Sequence, residues 1–377
     1  MQFFQHHRKQ LLQATLLGLL VTTSLANAGP TYSVTALGTL GGHYSTANGI
    51  NDAGQVVGYS FTAGGMDHAF LYSGGTMTDL GAMDSNYNSA WGINNIGQVV
   101  GYSGTGGTTI RAILYSGGTM TDLGNLGGSN SGAYAINDVG QVVGYSNIGG
   151  DAATHAFLYS GGTMTDLGTL GGRLSYAYGV NDAGQVVGAA AATDGQYHAF
   201  LYSGGVMSDL GTLEGGSRST ASGINNNGQV VGSSYSAVTG VAHAFMYSGG
   251  TMTDLGTLGG NYSGASAINE LGQVVGKAST AGDAAYHPFL YSGGVMTDLN
   301  TLIDPASDWT IREAFDINAS GDIAAFGCNV RRECQALLLE SIDAPTSNVP
   351  EPESLVLVGL GLAGLSLVSR RRKQAQA

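Results

Sequence analysis

The residues best suited to chemistry come in repeated pairs. His68 precedes Asp79, and the same types recur as His155 and Asp166, His198 and Asp209, His243 and Asp254, and His287 and Asp298. A histidine beside a carboxylate can serve as a general base, help to hold a metal, or form a structural hydrogen bond. The number of copies argues for the last. Five equivalent pairs do not make one active site, and no pair has a second His or Cys at metal-ligand spacing. If Gly74-Gly75 is a two-residue turn, Phe70 faces Asp79, and His68 lies one diagonal step away on the same face. A further copy carries Arg111 with Asp122. Where the last copy should stand, Gln335 would meet Ala36, so both charges vanish together. The expectation is a ladder of hydrogen-bonded pairs, each imidazole mostly buried against its own Asp.

Other chemistry would have to come from unrepeated residues: His43, Trp91, Arg173, Glu214, Arg218, Lys277, Trp309 and Arg312. They contain no nucleophile elbow, zinc motif, phosphate loop or spaced carboxylate pair. No catalytic residue, metal or cofactor is therefore expected. A glycan hydrolase or lyase is the runner-up reading, and it needs Glu214 and another carboxylate to converge at glycosidase spacing. The turn Asn51-Asp52-Ala53-Gly54 is a weak calcium candidate. Its second position reads Asp52, Asn95, Asp138, Asp182, Asn226, Glu270 and Ala319 along the chain, so a carboxylate is not required there. Asn and Gly at the flanking positions suit turn-making instead. Cys328 and Cys334 are the only cysteines, and an oxidising compartment would join them as a disulfide.

These residues sit in a repeat. The phrase G-I-N-D-A-G-Q-V-V-G at Gly49 to Gly58 recurs with its Gln at 55, 98, 141, 185, 229 and 273, a period of 43 or 44. A worn copy follows at Asp316 to Ala325. Helical arrays are excluded by the Gly and β-branched content. Each unit instead reads as four short strands, in the first copy about Thr46–Asn51, Gln55–Ser60, His68–Ser73 and Thr76–Gly81. Four antiparallel strands in that length make a propeller blade. The last unit lacks its fourth strand, while the segment Ser33 to Gly42 copies that strand and its loop. The expected fold is therefore all-β, a seven-bladed β-propeller closed by the N-terminal strand pairing into the last blade. The units resemble the HAF repeat of extracellular bacterial proteins, named for His68-Ala69-Phe70 and matched at His155, His198 and His243. That resemblance implies location and architecture, not a particular chemistry.

Composition narrows the setting. Gly makes up 63 of 377 residues without a collagen period, and only 10% of residues are charged. Between Gly29 and Asn348 there are 7 basic and 24 acidic residues, a net −17, which excludes nucleic acid as an expected partner. Residues 1–28 read as a secretory signal: Arg8 and Lys9, an apolar run, then a small-residue cleavage site between Ala28 and Gly29. Residues 29–343 form the propeller, and 344–352 a linker. Residues 353–377 hold an apolar run from Leu355 to Val368 and the basic cluster Arg370, Arg371, Arg372 and Lys373, expected to act as a transmembrane sorting segment. The order Val349-Pro350-Glu351-Pro352, apolar helix, basic end resembles the PEP-CTERM sorting signal of Gram-negative bacteria that make exopolysaccharide. It implies a sorting protease of the exosortase type as a partner. The expected course is export, transient anchoring in the inner membrane, and release to the cell surface or medium. The function expected is that of a surface or matrix binding and structural protein, with extracellular polysaccharide or another envelope component as ligand.

Overall fold

The computed structural model describes residues 31–82, 87–104 and 109–342. The signal cleavage point at Ala28 and Gly29 and the sorting residues Pro350, Glu351, Pro352, Arg370, Arg371 and Arg372 lie outside them. So does the expected membrane segment 353–377. Among the described residues, no helix is long and apolar enough to cross a membrane.

The described chain is all-β, joined by turns and single 3-10 turns. β1 (Tyr32–Gly38) is followed by β2 (Gly41–Ile50), β3 (Val56–Thr62), β4 (Asp67–Ser73) and β5 (Thr76–Asp79). From β2 to β5 each strand pairs antiparallel with the next. The hairpin between β4 and β5 turns on Gly74 and Gly75, at φ 56° and 82°, a region that residues with a Cβ resist. Ser73 accordingly lies opposite Thr76 and Phe70 opposite Asp79.

The same order recurs in units whose first strands begin at Asn88, Gly127, Gly171, Ser219 and Gly259. The last unit contributes Trp309–Ile317, Ile323–Asn329 and Cys334–Ser341. Its fourth place is taken by β1, with Tyr32 opposite Ser341 and Ala36 opposite Leu337. The two ends of the body are therefore clasped in one sheet. The first strand of a unit runs longer than its sequence phrase, because Gly41 still pairs with Thr62 across an irregular stretch.

Packing explains the most regular letters. A Cβ on Gly58 would stand 1.9 Å from the carbonyl oxygen of Thr46, where β2 bulges between Ala47 and Gly49. Val57, Ala69 and Leu80 of one unit pack against Ala90, Ile93 and Val99 of the next. Phe70 and its counterparts Phe157, Phe200, Phe245 and Phe289 have no exposed surface. The backbone N–H of Ala69 donates to Asn88 Oδ1 of the following unit at 2.7 Å, and Ala199 donates to Ser219 Oγ at 2.9 Å. In H-A-F, then, the alanine ties neighbouring units and the phenylalanine fills the core between one unit and the one before it.

A circuit of asparagines binds the inner strands. Asn51 is almost fully buried, and its Nδ2 donates to the carbonyl of Asn94 at 3.1 Å. Asn94 reaches Asn137, Asn137 reaches Asn181, Asn181 reaches Asn225, and Asn225 reaches Asn269. Asn269 donates to Asn318, and Asn318 donates back to Asn51. Each Oδ1 meanwhile accepts a backbone N–H in its own turn, as Asn51 does from Gln55 at 2.9 Å. One side chain thus satisfies both its own turn and the adjacent one.

Candidate functional site

The ladder residues meet. His68 Nδ1 lies 2.7 Å from Asp79 Oδ2, His155 2.8 Å from Asp166, His198 2.7 Å from Asp209, and His243 2.7 Å from Asp254. His287 lies 2.5 Å from Asp298. The other carboxylate oxygen of Asp79 accepts from Gly81 N at 2.8 Å, so the Asp also fixes the start of the loop leaving β5. Imidazole exposure of 14–35% leaves these rings mostly covered, while the Asp partners on the outer strands are 20–44% exposed. Arg111 and Asp122 form no ion pair among the described residues, and Arg111 Nη1 is buried without a hydrogen-bond partner.

Cys328 and Cys334 face each other across the last hairpin as a disulfide, with Cα atoms 4.1 Å apart. Among the described residues, no group of three or more His, Cys, Asp or Glu could hold a metal ion. At one mouth of the ring Asp52, Asp138, Asp182 and Glu270 accept backbone N–H groups from adjacent turns, for example Asn95 N to Asp138 Oδ1 at 2.8 Å. Those acids brace the turns.

The opposite face is built differently. The residue before the small residue in A-x-G-I-N points to the axis, and it varies: Asn48, Trp91, Tyr134, Tyr178, Ser222, Ser266 and Phe315. Together they surround an axial cavity of about 550 Å³. Asp316 stands on that wall at a place held elsewhere by Gly or Ala. It accepts from Ile50 N at 3.0 Å and from Ile317 N at 2.9 Å. Though open to the cavity on one side, it is densely enclosed by protein, and this burial pushes its carboxyl up to about 6.

From the axis an aromatic row runs outward. Trp91 meets Tyr134 edge-on at 5.6 Å, and Tyr134 meets Tyr145 and Tyr178 at 5.6 and 5.4 Å. Tyr176 lies 5.8 Å from Tyr145, nearly parallel to Tyr178, and 6.4 Å from Tyr197. On the other flank Trp91 continues to Tyr102 and Tyr87. Burial raises the phenol of Tyr178 to about 12 and those of Tyr134 and Tyr102 further, so all stay neutral hydrogen-bonding groups.

Beside this row lies a groove of about 380 Å³, lined by Tyr176, Tyr178, Tyr197, Tyr235, Tyr262 and Arg218. A departure from the repeat opens it. The position after V-V-G is Tyr59, Tyr102 and Tyr145 in the early units, but Ala189 and Ser233 here. The Arg218 guanidinium lies 4.1 Å from the centre of the Tyr235 ring and also donates to the Tyr235 hydroxyl.

Of the unrepeated residues, Trp91 and Arg218 join this surface. His43 packs edge-on against Phe61 at 5.0 Å, Arg173 donates to Ala152 O at 2.5 Å, and Trp309 packs on the last unit's core. Lys277 pairs with Glu313. Arg312 is exposed. Glu214 accepts from Ser236 Oγ at 2.5 Å and lies outside the tyrosine groove, whose lining contains no carboxylate.

Comparison with known proteins adds two findings. Residues 348–373 match the PEP-CTERM protein-sorting motif. This is the signal of an exported protein. No curated protein matches the chain. Among solved structures, the puromycin-hydrolysing peptidase of Mycobacterium tuberculosis aligns at TM-score 0.51 and 10% identity, over 81% of this chain and 53% of that one. A puromycin hydrolase aligns at TM-score 0.50 and 13% identity, over 84% and 56%. This chain spans about half the length of either. The β-propeller domain of the Trilobed protease from Pyrococcus furiosus aligns at TM-score 0.48 and 10% identity, over 68% of this chain and 84% of that one. At such identities the likeness is one of fold alone.

Proposed function

We propose that this chain is an exported surface or matrix protein whose propeller binds extracellular polysaccharide through its aromatic face. The body is read as seven HAF-type blades, the last completed by β1, and the tail as a substrate for an exosortase-type protease during transient anchoring. The observation that carries the binding reading is the row of ring faces from Tyr87 to Tyr197 with its adjoining groove. Pyranose rings present flat CH faces that pack on π faces, while phenol hydroxyls bond the sugar hydroxyls.

A second reading, an envelope carbohydrate hydrolase or lyase, draws on Asp316 in the axial cavity. Glycoside hydrolysis by the usual route needs a second carboxyl at roughly 5–10 Å, and Asp316 is the one carboxyl among the residues lining that cavity. Binding is therefore the preferred function.

The test incubates the full chain with exopolysaccharide from the producing cell, measuring retention and new reducing ends together. Retention that falls in Tyr176→Ala and Tyr197→Ala, with no new reducing ends, is expected. Cleavage that is lost in Asp316→Asn would replace the binding reading with the enzymatic one.

A further inference from the structure

The groove beside Tyr235 differs from the rest of the aromatic face in one respect: it contains a cation. Arg218 is the only charged residue among those lining it. The surrounding body carries a net −17, yet no carboxylate lies within ion-pair distance of Arg218 among the described residues. Neighbouring cations are already engaged, Lys277 by Glu313 and Arg173 by the Ala152 carbonyl. Stacking on Tyr235 holds the guanidinium plane in place, and the Tyr235 hydroxyl accepts one of its N–H groups. The remaining donors are free to meet a ligand. A guanidinium offers paired parallel N–H groups, the complement of a carboxylate.

We infer that this groove is a subsite for an acidic sugar residue, a uronate, within the polysaccharide that the aromatic face binds. The inference rests on the binding reading above and names its ligand class. Tyr176 and Tyr197 would carry the ring of the sugar, and Arg218 its carboxylate. The size of the space supports this: about 380 Å³ holds a hexuronate ring with part of its neighbours, and it exists because Ala189 and Ser233 stand where other units place Tyr. Arg218 costs little to keep in this orientation, because stacking has already restricted its rotamers. In a protein so acidic, a lone cation fixed beside aromatic platforms selects for negative charge, where a neutral sugar would need none.

The experiment measures binding of the full chain to an oligogalacturonate and to the same oligomer with its carboxylates reduced to hydroxymethyl groups. The acidic oligomer should bind roughly tenfold more tightly or better, as one charge-assisted pair predicts. Arg218→Gln should abolish that preference, so that the two oligomers bind alike. Tyr197→Ala should weaken both ligands alike. Thermal melting of each variant reports whether the fold survives, and exposed Arg218 should melt as the parent does. Equal binding of the two oligomers, or a preference that survives Arg218→Gln, would overturn the uronate subsite while leaving glycan binding intact. If neither oligomer binds and the producer's polysaccharide is not retained either, the binding reading itself falls.

Discussion

Asn318 donates its side-chain amide to the carbonyl of Asn51, 267 residues earlier, at 3.1 Å. This bond joins the last inner strand to the first and returns the asparagine circuit to its start. The seam therefore repeats the contact made between every other pair of units.

If the seam is equivalent to the other junctions, Asn318→Ala and Asn181→Ala should cost the same. Each strands a turn N–H and removes one of the two bonds to a neighbouring unit's carbonyl, which keeps its own turn glycine as donor; the loss is worth about 1–3 kcal/mol. Urea unfolding of both variants checks this. A much smaller loss at Asn318 would mean that the seam opens in solution.

β1 should contribute through burial as well as pairing. Leu37 is 5% exposed and packs with Ala336 and Leu338 of the last unit and Phe70 of the first. Leu37→Ala should destabilise the whole body by about 2–5 kcal/mol. The expected signature is one cooperative transition at lower denaturant, because the clasp serves both ends.

His198→Ala should have a modest effect. Its partner Asp209 is 41% exposed and retains the Gly211 N–H, so water replaces the lost contact in part. A loss of about 1 kcal/mol in stability is expected, with polysaccharide binding unchanged. Unchanged melting with binding lost would reassign the ladder to function.

Asp316 gives stability a pH dependence of defined sign. Burial raises its carboxyl from 3.8 to about 6, so the folded state holds the proton more tightly than the unfolded chain. Its contribution is full below about 4, and it is lost as pH rises through about 6. Asp151 and Asp283 shift downward, through N–H groups of Ser129 and Asn261, and act in the opposite sense. Comparison with Asp316→Asn isolates the one group. The variant should gain on the parent in melting temperature between pH 4 and 7, and parallel profiles would refute the assignment.

The periodic letters made the architecture readable. Gly74-Gly75 fixed a hairpin, the missing partner of Gln335 pointed to Ala36, and the copy of the fourth strand at residues 33–42 announced the clasp. The aromatic groove was hidden because its walls come from different units. Tyr176 and Tyr235 converge only when sheets stack, and the opening depends on Ala189, a residue whose smallness carries no signal by itself. Asp316 was passed over as part of a worn repeat. The asparagines were read as turn-makers, since their second hydrogen bond reaches into a neighbouring unit that periodicity cannot place in space. Arg111 stands in the place of a His, but it makes no ion pair with Asp122 among the described residues.

The strand Cys334–Ser341 is held on both sides, by Ile323–Asn329 and by β1. Tension entering from the segment after residue 342 runs along this strand's own axis. It loads two hydrogen-bonded ladders in shear, so many bonds must fail together, where unzipping would break them one at a time. Should they yield, unravelling stops at Cys334, covalently fixed to Cys328 on the adjacent strand. A pull at that end is thus resisted by the last sheet as a whole rather than by a single strand.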